Sequence, residues 1–167
     1  MKQIFQNFKT GKLELLDIPI PALKSGFVLV KNHYSLISPG TEKTAIELAK
    51  KNIIEKAKSR PDQVKEVINK IKTDGIITTL RRVMKKLDEP LPLGYSSAGE
   101  VIDIGEKAEE FKIGDKVACA GGGYACHAEV VAVPKNLCVK IPENVSCQEA
   151  SFATLGAIAM QGIRRAN

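Results

Sequence analysis

Residues 91 to 134 read LPLGYSSAGEVIDIGEKAEEFKIGDKVACAGGGYACHAEVVAVP. No other stretch is so dense in strand and turn signals, and none constrains the fold more. Apolar runs at 98–104, 116–120 and 128–133 are separated by glycine turns at Gly105, Gly114 and Gly121-Gly122-Gly123. Whatever lies N-terminal must either pair with these strands or interrupt them.

At 167 residues the chain has the size of one ordinary domain, with enough length for a real core. Aromatics make up 5% and tryptophan is absent, so the core is expected to be built from Ile, Leu, Val and Ala. No apolar run approaches the roughly 18 residues of a membrane span. The opening MKQIFQNFKTG has no apolar h-region, so a cytoplasmic location is the expectation. Cysteines at 119, 126, 138 and 147 form no C-x-x-C pair. With only His33 and His127 beside them they are poor material for zinc, and are expected to be reduced thiols in or near the β core.

The charge of +6 is concentrated in one segment. From Lys43 to Asp88 there are 13 Lys/Arg against 6 acids; the remainder has 12 against 13.

Taken in order, residues 2–6 and 13–18 read as a hairpin turned at Lys9-Thr10-Gly11. Pro19 and Pro21 stop the pairing. A longer strand, FVLVKNHYSLIS, follows Gly26, with Val28, Val30, Asn32 and Tyr34 on one face. It ends at Ser38-Pro39-Gly40-Thr41, where Ser38 or Thr41 can cap a helix. From 42 to 88 the period is helical. The apolar stripes are Ala45, Ile46, Leu48, Ala49 and Ile53; Val64, Val67, Ile68 and Ile71; and Ile76, Ile77, Leu80, Val83, Met84 and Leu87. Pro61 suits the first turn of the second helix, and Gly75 separates the second from the third. After the β core, residues 137–141 read as another strand. Ser146 and Glu149 form a capping-box pattern that opens a helix over 146–166. The expected class is mainly β with an α insertion at 42–88 (α+β).

Three segments then coincide with one family. PLGYSSAGEVIDIG at 92–105 resembles the P-G-x-x-x-x-G-x-V-x-x-x-G segment of medium-chain dehydrogenases/reductases. FKIGDKVACAGGGYACHAEVVAVP at 111–134 resembles their G-D-[KR]-V strand pair, and IPENVSCQEASFATLGAIAMQGIRRA at 141–166 their linking helix. The resemblance implies a GroES-like domain over 1–167, a twisted, partly closed β-barrel that carries the substrate side of an active site. It implies an NAD or NADP cofactor held by a separate Rossmann domain, for whose G-x-G-x-x-G loop this chain has no counterpart. Gly121-Gly122-Gly123 precedes a strand, not a helix N-terminus, and is read as a turn. Arg60-Pro61-Asp62 and the DEPLPLGYSSAG run at 88–99 are similar to bidomain oxidoreductases in which the reductase half precedes a Gfo/Idh/MocA-type half.

Zinc-dependent relatives carry Cys, a Gly-His-Glu element and a further Cys or acid where this chain has Ser38, Gly94-Tyr95-Ser96 and Thr154. None of these offers a thiolate, imidazole or carboxylate, so no metal is expected. A carbonyl would then be polarised by hydrogen bonds. Tyr95 is the leading candidate donor. Ser38, Thr41, Glu42 and Ser96 are candidates for substrate binding, and Thr154 and Ile158 for the nicotinamide side of a cofactor. Each also has a structural reading: Ser38 and Thr41 as caps, Glu42 as a first-turn acid. Cys126 and His127 are neighbours on a strand-like run, point to opposite faces, and make a poor nucleophile pair.

The leading expectation is the substrate-side domain of a zinc-independent NAD(P)-dependent oxidoreductase, acting on a small carbonyl, enone or sugar-related molecule and inactive alone. Alternatives are a relative of the zinc-type alcohol and polyol dehydrogenases, or a protein- or nucleic-acid-binding module using the basic insertion. Between Glu42 and Glu89 there is no aromatic residue for base stacking, and bases alternate with acids, which disfavours nucleic acid. Self-association is expected from the apolar stripes and the small-residue helix.

Overall fold

The computed structural model describes residues 1–7, 10–50, 55, 58 and 61–166. Expectations placed on Lys9, Ile53, Arg60 and Asn167, and on the side chains of Ala45, Leu48, Ala49, Met84 and Leu87, lie outside the described residues. The elements in order are β1 (Lys2–Asn7), β2 (Leu13–Asp17), β3 (Phe27–Ser35), α1 (Pro39–Lys50), α2 (Pro61–Asp74), α3 (Ile76–Asp88), β4 (Pro90–Pro92) and β5 (Ser96–Ile104). Then come β6 (Lys116–Ala120), β7 (Val130–Pro134), a 3-10 turn (Lys135–Leu137), β8 (Cys138–Lys140), α4 (Cys147–Ala150) and α5 (Ala153–Ala166). They fall into two compact units. One comprises Met1–Ile4, Leu15–Ser38 and Pro92–Asn167; the other comprises Phe5–Glu14 and Pro39–Leu91.

The first unit is organised by a five-stranded sheet in the order β7-β3-β5-β6-β8, its neighbours antiparallel, which curls into a half-barrel. Its core is aliphatic, as the scarcity of aromatics requires. Val28, Val30, Val101, Val117 and Val133 are fully buried, and the ring of Phe111 joins them in the buried cluster. A smaller cluster of Ala98, Ala118, Cys147 and Ala150 seats α4 on the sheet through short side chains. Gly99 explains why β5 can lie where it does. A Cβ there would fall 2.1 Å from the Lys31 carbonyl oxygen and 2.8 Å from Asn32 Cα, so only glycine admits this approach of β3. The register shifts between Asn32 and Tyr34 at the same place. The even alternation expected along β3 ends there, and Tyr34 is exposed while Val28 and Val30 are buried.

The G-D-K-V turn has a plain electrostatic basis. Asp115 accepts from the Lys112 backbone N–H at 2.8 Å and pairs with Lys140 on β8 at 2.8 Å. The hydrogen bond from Lys140, helped by the one from Lys112, holds the Asp115 carboxyl below its ordinary range.

Two boundaries differ from the sequence reading. Strand β3 ends at Ser35, and the helix starts at Pro39 instead of residue 42. Proline at a first helical position gives up an N–H that would have no helical partner anyway. The single helix expected over 146–166 is two. Ser146 and Glu149 do form the capping box, but α4 stops at Ala150. The Ser151 carbonyl, which would accept from Leu155 in a continuous helix, instead receives the Ser96 hydroxyl at 2.6 Å.

In the second unit, the Gly11 N–H donates to the Asn7 carbonyl at the hairpin turn, and Gly75 separates α2 from α3 as expected. On α3, Ile76, Ile77 and Leu80 are exposed while Thr79 is buried. Among the described residues no helix is long and apolar enough to cross a membrane.

Gly99→Ala is expected to lower stability by about 3 kcal/mol, because backbone cannot yield as a side chain does. Gly122→Ala, where the added carbon meets nothing within 4 Å, is expected to stay within about 0.5 kcal/mol. Urea denaturation of both variants checks this. For Asp115 the folded carboxyl is the stronger acid. Its contribution is therefore present above the ordinary aspartate value and is lost as pH falls through the lowered one. Asp115→Asn is expected to flatten the acid limb of a stability-against-pH curve; an unchanged limb would remove Asp115 from that account.

Candidate functional site

Tyr95 sits in the turn between β4 and β5, and its backbone is held on every side. The Leu93 N–H donates to the Ile4 carbonyl at 3.3 Å, and the His127 N–H donates to the Leu93 carbonyl at 2.8 Å. The Gly121 N–H donates to the Tyr95 carbonyl at 2.9 Å, and the Leu36 N–H to the Ser96 carbonyl at 2.9 Å. Local sequence makes this possible through Gly94, whose φ is +93°. A Cβ on Gly94 would lie 2.8 Å from the His127 backbone nitrogen and 2.9 Å from its ring Nδ1. Gly94 thus supplies both a left-handed backbone and the space that the His127 ring fills. The Tyr95 ring is left half-buried on this scaffold.

Ser96, expected to contact substrate, does something else. It is fully buried, and its hydroxyl donates to the Ser151 carbonyl at 2.6 Å. Its neighbours Ser97 and Ala98 are buried as well, so both faces of β5 are covered at its start. Ser96 ties the start of β5 to the end of α4, which positions Tyr95 from one side and α5 from the other.

Ser38 is half-buried at the end of the segment after β3. On α5, the Thr154 hydroxyl oxygen is covered by protein and has no hydrogen-bond partner among the described residues, and Ile158 one turn later is exposed. Ser38, Tyr95, Ser96, Thr154 and Ile158 all belong to the first unit. Thr41 and Glu42 belong to the second, in the first turn of α1, where Glu42 is the acid that suits a helix N-terminus.

His127 is a residue that strand logic undervalued. It is buried, and its Nδ1 lies 2.8 Å from the Ser35 hydroxyl. The Gly94–His127 packing pairs positions 33 apart in sequence, and only a positive-φ glycine hinted at it. Cys126, its neighbour, is also buried, and burial raises its thiol to about 11, so it is no nucleophile at neutral pH. A cleft of ≈ 230 Å³ is lined by Met1, Gln3, Ile18, Tyr124 and Cys126 among others, and by none of the residues expected at the site. Among the described residues no group of three or more His, Cys, Asp or Glu could hold a metal ion.

Ser96→Ala leaves the buried Ser151 carbonyl without its donor and is expected to cost about 1–3 kcal/mol. Thermal unfolding reads the cost, and a neutral result would deny Ser96 its anchoring role.

Comparison with known proteins gives the site its setting. Residues 64–143 match the family model described as the alcohol dehydrogenase GroES-like domain. The chain is 26% identical over 101 residues to (R,R)-butanediol dehydrogenase of Bacillus subtilis, covering 45% of this chain and 28% of that protein. The solved structure of the quinone oxidoreductase from Coxiella burnetii superposes with TM-score 0.67 and 26% identity, over 99% of this chain and 44% of that one. A mycobacterial protein solved in complex with NADPH shares the fold at TM-score 0.63 and 18% identity, over 98% of this chain and 40% of that one. The chain therefore spans less than half the length of each of these relatives. Residues 64–143 thus match the GroES-like domain found in alcohol dehydrogenases, and the half-barrel sheet that they help to build has the fold of that domain.

Proposed function

We propose that this chain is the substrate side of a zinc-independent, NAD(P)-dependent oxidoreductase acting on a small carbonyl or enone, with sugar-related substrates included. The observation that carries this reading is Tyr95. It is a half-buried phenol on a backbone fastened by Gly121 and Ser96, at the position where zinc-dependent relatives carry histidine. A donor fixed in this way stabilises developing negative charge on a carbonyl oxygen without reorganising during the reaction. Ser38 is the second candidate donor from the same unit.

The family's nicotinamide cofactor fits what α5 offers. The Thr154 hydroxyl oxygen has a free bonding position, and exposed Ile158 supplies apolar surface one turn on. When bound, the cofactor supplies or accepts the hydride. The chain's own part is to orient the substrate, keep water from it and donate the hydrogen bond at Tyr95. The phosphates of the cofactor fall to a Rossmann domain outside these 167 residues, whose packing would cover exposed Phe152, Met160 and Ile163. A Gfo/Idh/MocA-type half beyond that domain, and self-association of the whole, extend the same reading.

In a full-length protein carrying this domain, Tyr95→Phe is expected to lower kcat by about 100-fold with little change in KM. The 167-residue chain alone is expected to bind neither NADPH at micromolar concentration nor stoichiometric zinc. Micromolar NADPH binding by the isolated chain, zinc by elemental analysis, or an unaffected Tyr95→Phe enzyme would each overturn part of the proposal.

A further inference from the structure

Cys119 and Cys138 face each other across β6 and β8 as direct register partners, with their sulfurs 3.8 Å apart. The Ile141 N–H donates to the Lys116 carbonyl, so in this ladder the hydrogen-bonded pairs fall at 116/141 and 118/139. The pair 119/138 is then a non-hydrogen-bonded one, the site in an antiparallel ladder where side chains approach most closely, with Cα atoms about 4.5 Å apart. That spacing lies at the short end of the range of about 4.4–6.8 Å that a disulfide spans. Both thiols are free, Cys119 is buried and Cys138 is half-buried. The pair therefore joins a half-buried cysteine to a buried one.

We propose that Cys119 and Cys138 are a reversible thiol–disulfide site, oxidised by exchange with low-molecular-weight disulfides. The Cys138 thiolate attacks one sulfur of the small disulfide, forming a mixed disulfide and releasing one small thiol. The Cys119 sulfur then attacks the Cys138 sulfur, and its proton leaves with the second small thiol. Two protein thiols and one small disulfide thus become one protein disulfide and two small thiols, with electrons balanced. The Cys119 thiol is held well above its ordinary range by its contact with Cys138 and by burial. Cys138 is consequently the entry point and Cys119 the resolving residue. The bond fastens β8, an edge strand, to β6. It lies two residues before Gly121, whose N–H holds the Tyr95 carbonyl.

The test treats the folded chain with oxidised glutathione at neutral pH, alkylates the remaining thiols and maps unreduced peptides by mass spectrometry. The expected result is loss of two of the four thiols, a Cys119 peptide linked to a Cys138 peptide, and recovery of all four on adding dithiothreitol. Cys138→Ser is expected to abolish the link. Cys119→Ala is expected to trap glutathione on Cys138. Four intact thiols in the wild-type chain, a stable glutathione adduct at Cys138 without the internal link, or a link through Cys126 or Cys147 would overturn the proposal. The wild-type map decides the matter even where a variant folds poorly.

Discussion

The approach of β5 to β3 at Gly99 is the contact on which the rest of the first unit depends. The two backbones pass so closely that a single methyl group would meet the Lys31 carbonyl oxygen at 2.1 Å. Packing at that density is set by backbone, which cannot rotate away as a side chain does. Because β5 sits at the centre of the five-stranded sheet, its position fixes the strands on both sides. It also fixes buried Ala98, against which Cys147 and Ala150 of α4 pack. Small residues recur there for one reason: two layers meet with little space between them.

The same strand joins architecture to chemistry. At its start, Gly94 bends the chain, Tyr95 is half-buried and Ser96 turns inward to the Ser151 carbonyl. Three consecutive residues therefore do three different jobs. None of these three residues carries a thiolate, imidazole or carboxylate.

Much of this was legible from residues alone. The glycine turns at Gly105, Gly114 and Gly121, the β6 boundaries, the Pro61 and Gly75 helix limits and the Ser146–Glu149 box all rest on local rules, and local rules act within a few residues. The aliphatic core followed from composition. What went astray required a partner distant in the chain. Ser96 was expected at a substrate surface, yet its direction is set by a carbonyl 55 residues away. The helix at 146–166 was expected to be continuous, and the same contact divides it. The α3 stripe was legible as an apolar face, and Ile76, Ile77 and Leu80 on it are exposed, since periodicity marks a face without saying what covers it.

The sequence by itself therefore determined the order of the elements, the turns between them and the aliphatic character of the core. Tertiary structure alone decided which hydroxyls face inward, that the His127 ring fills the space beside Gly94, and that Cys119 and Cys138 stand 3.8 Å apart. The physical reason is range. Turn and strand preferences are energies of neighbouring residues, whereas a hydrogen bond, a packed ring or a thiol pair depends on which distant backbone the register brings alongside.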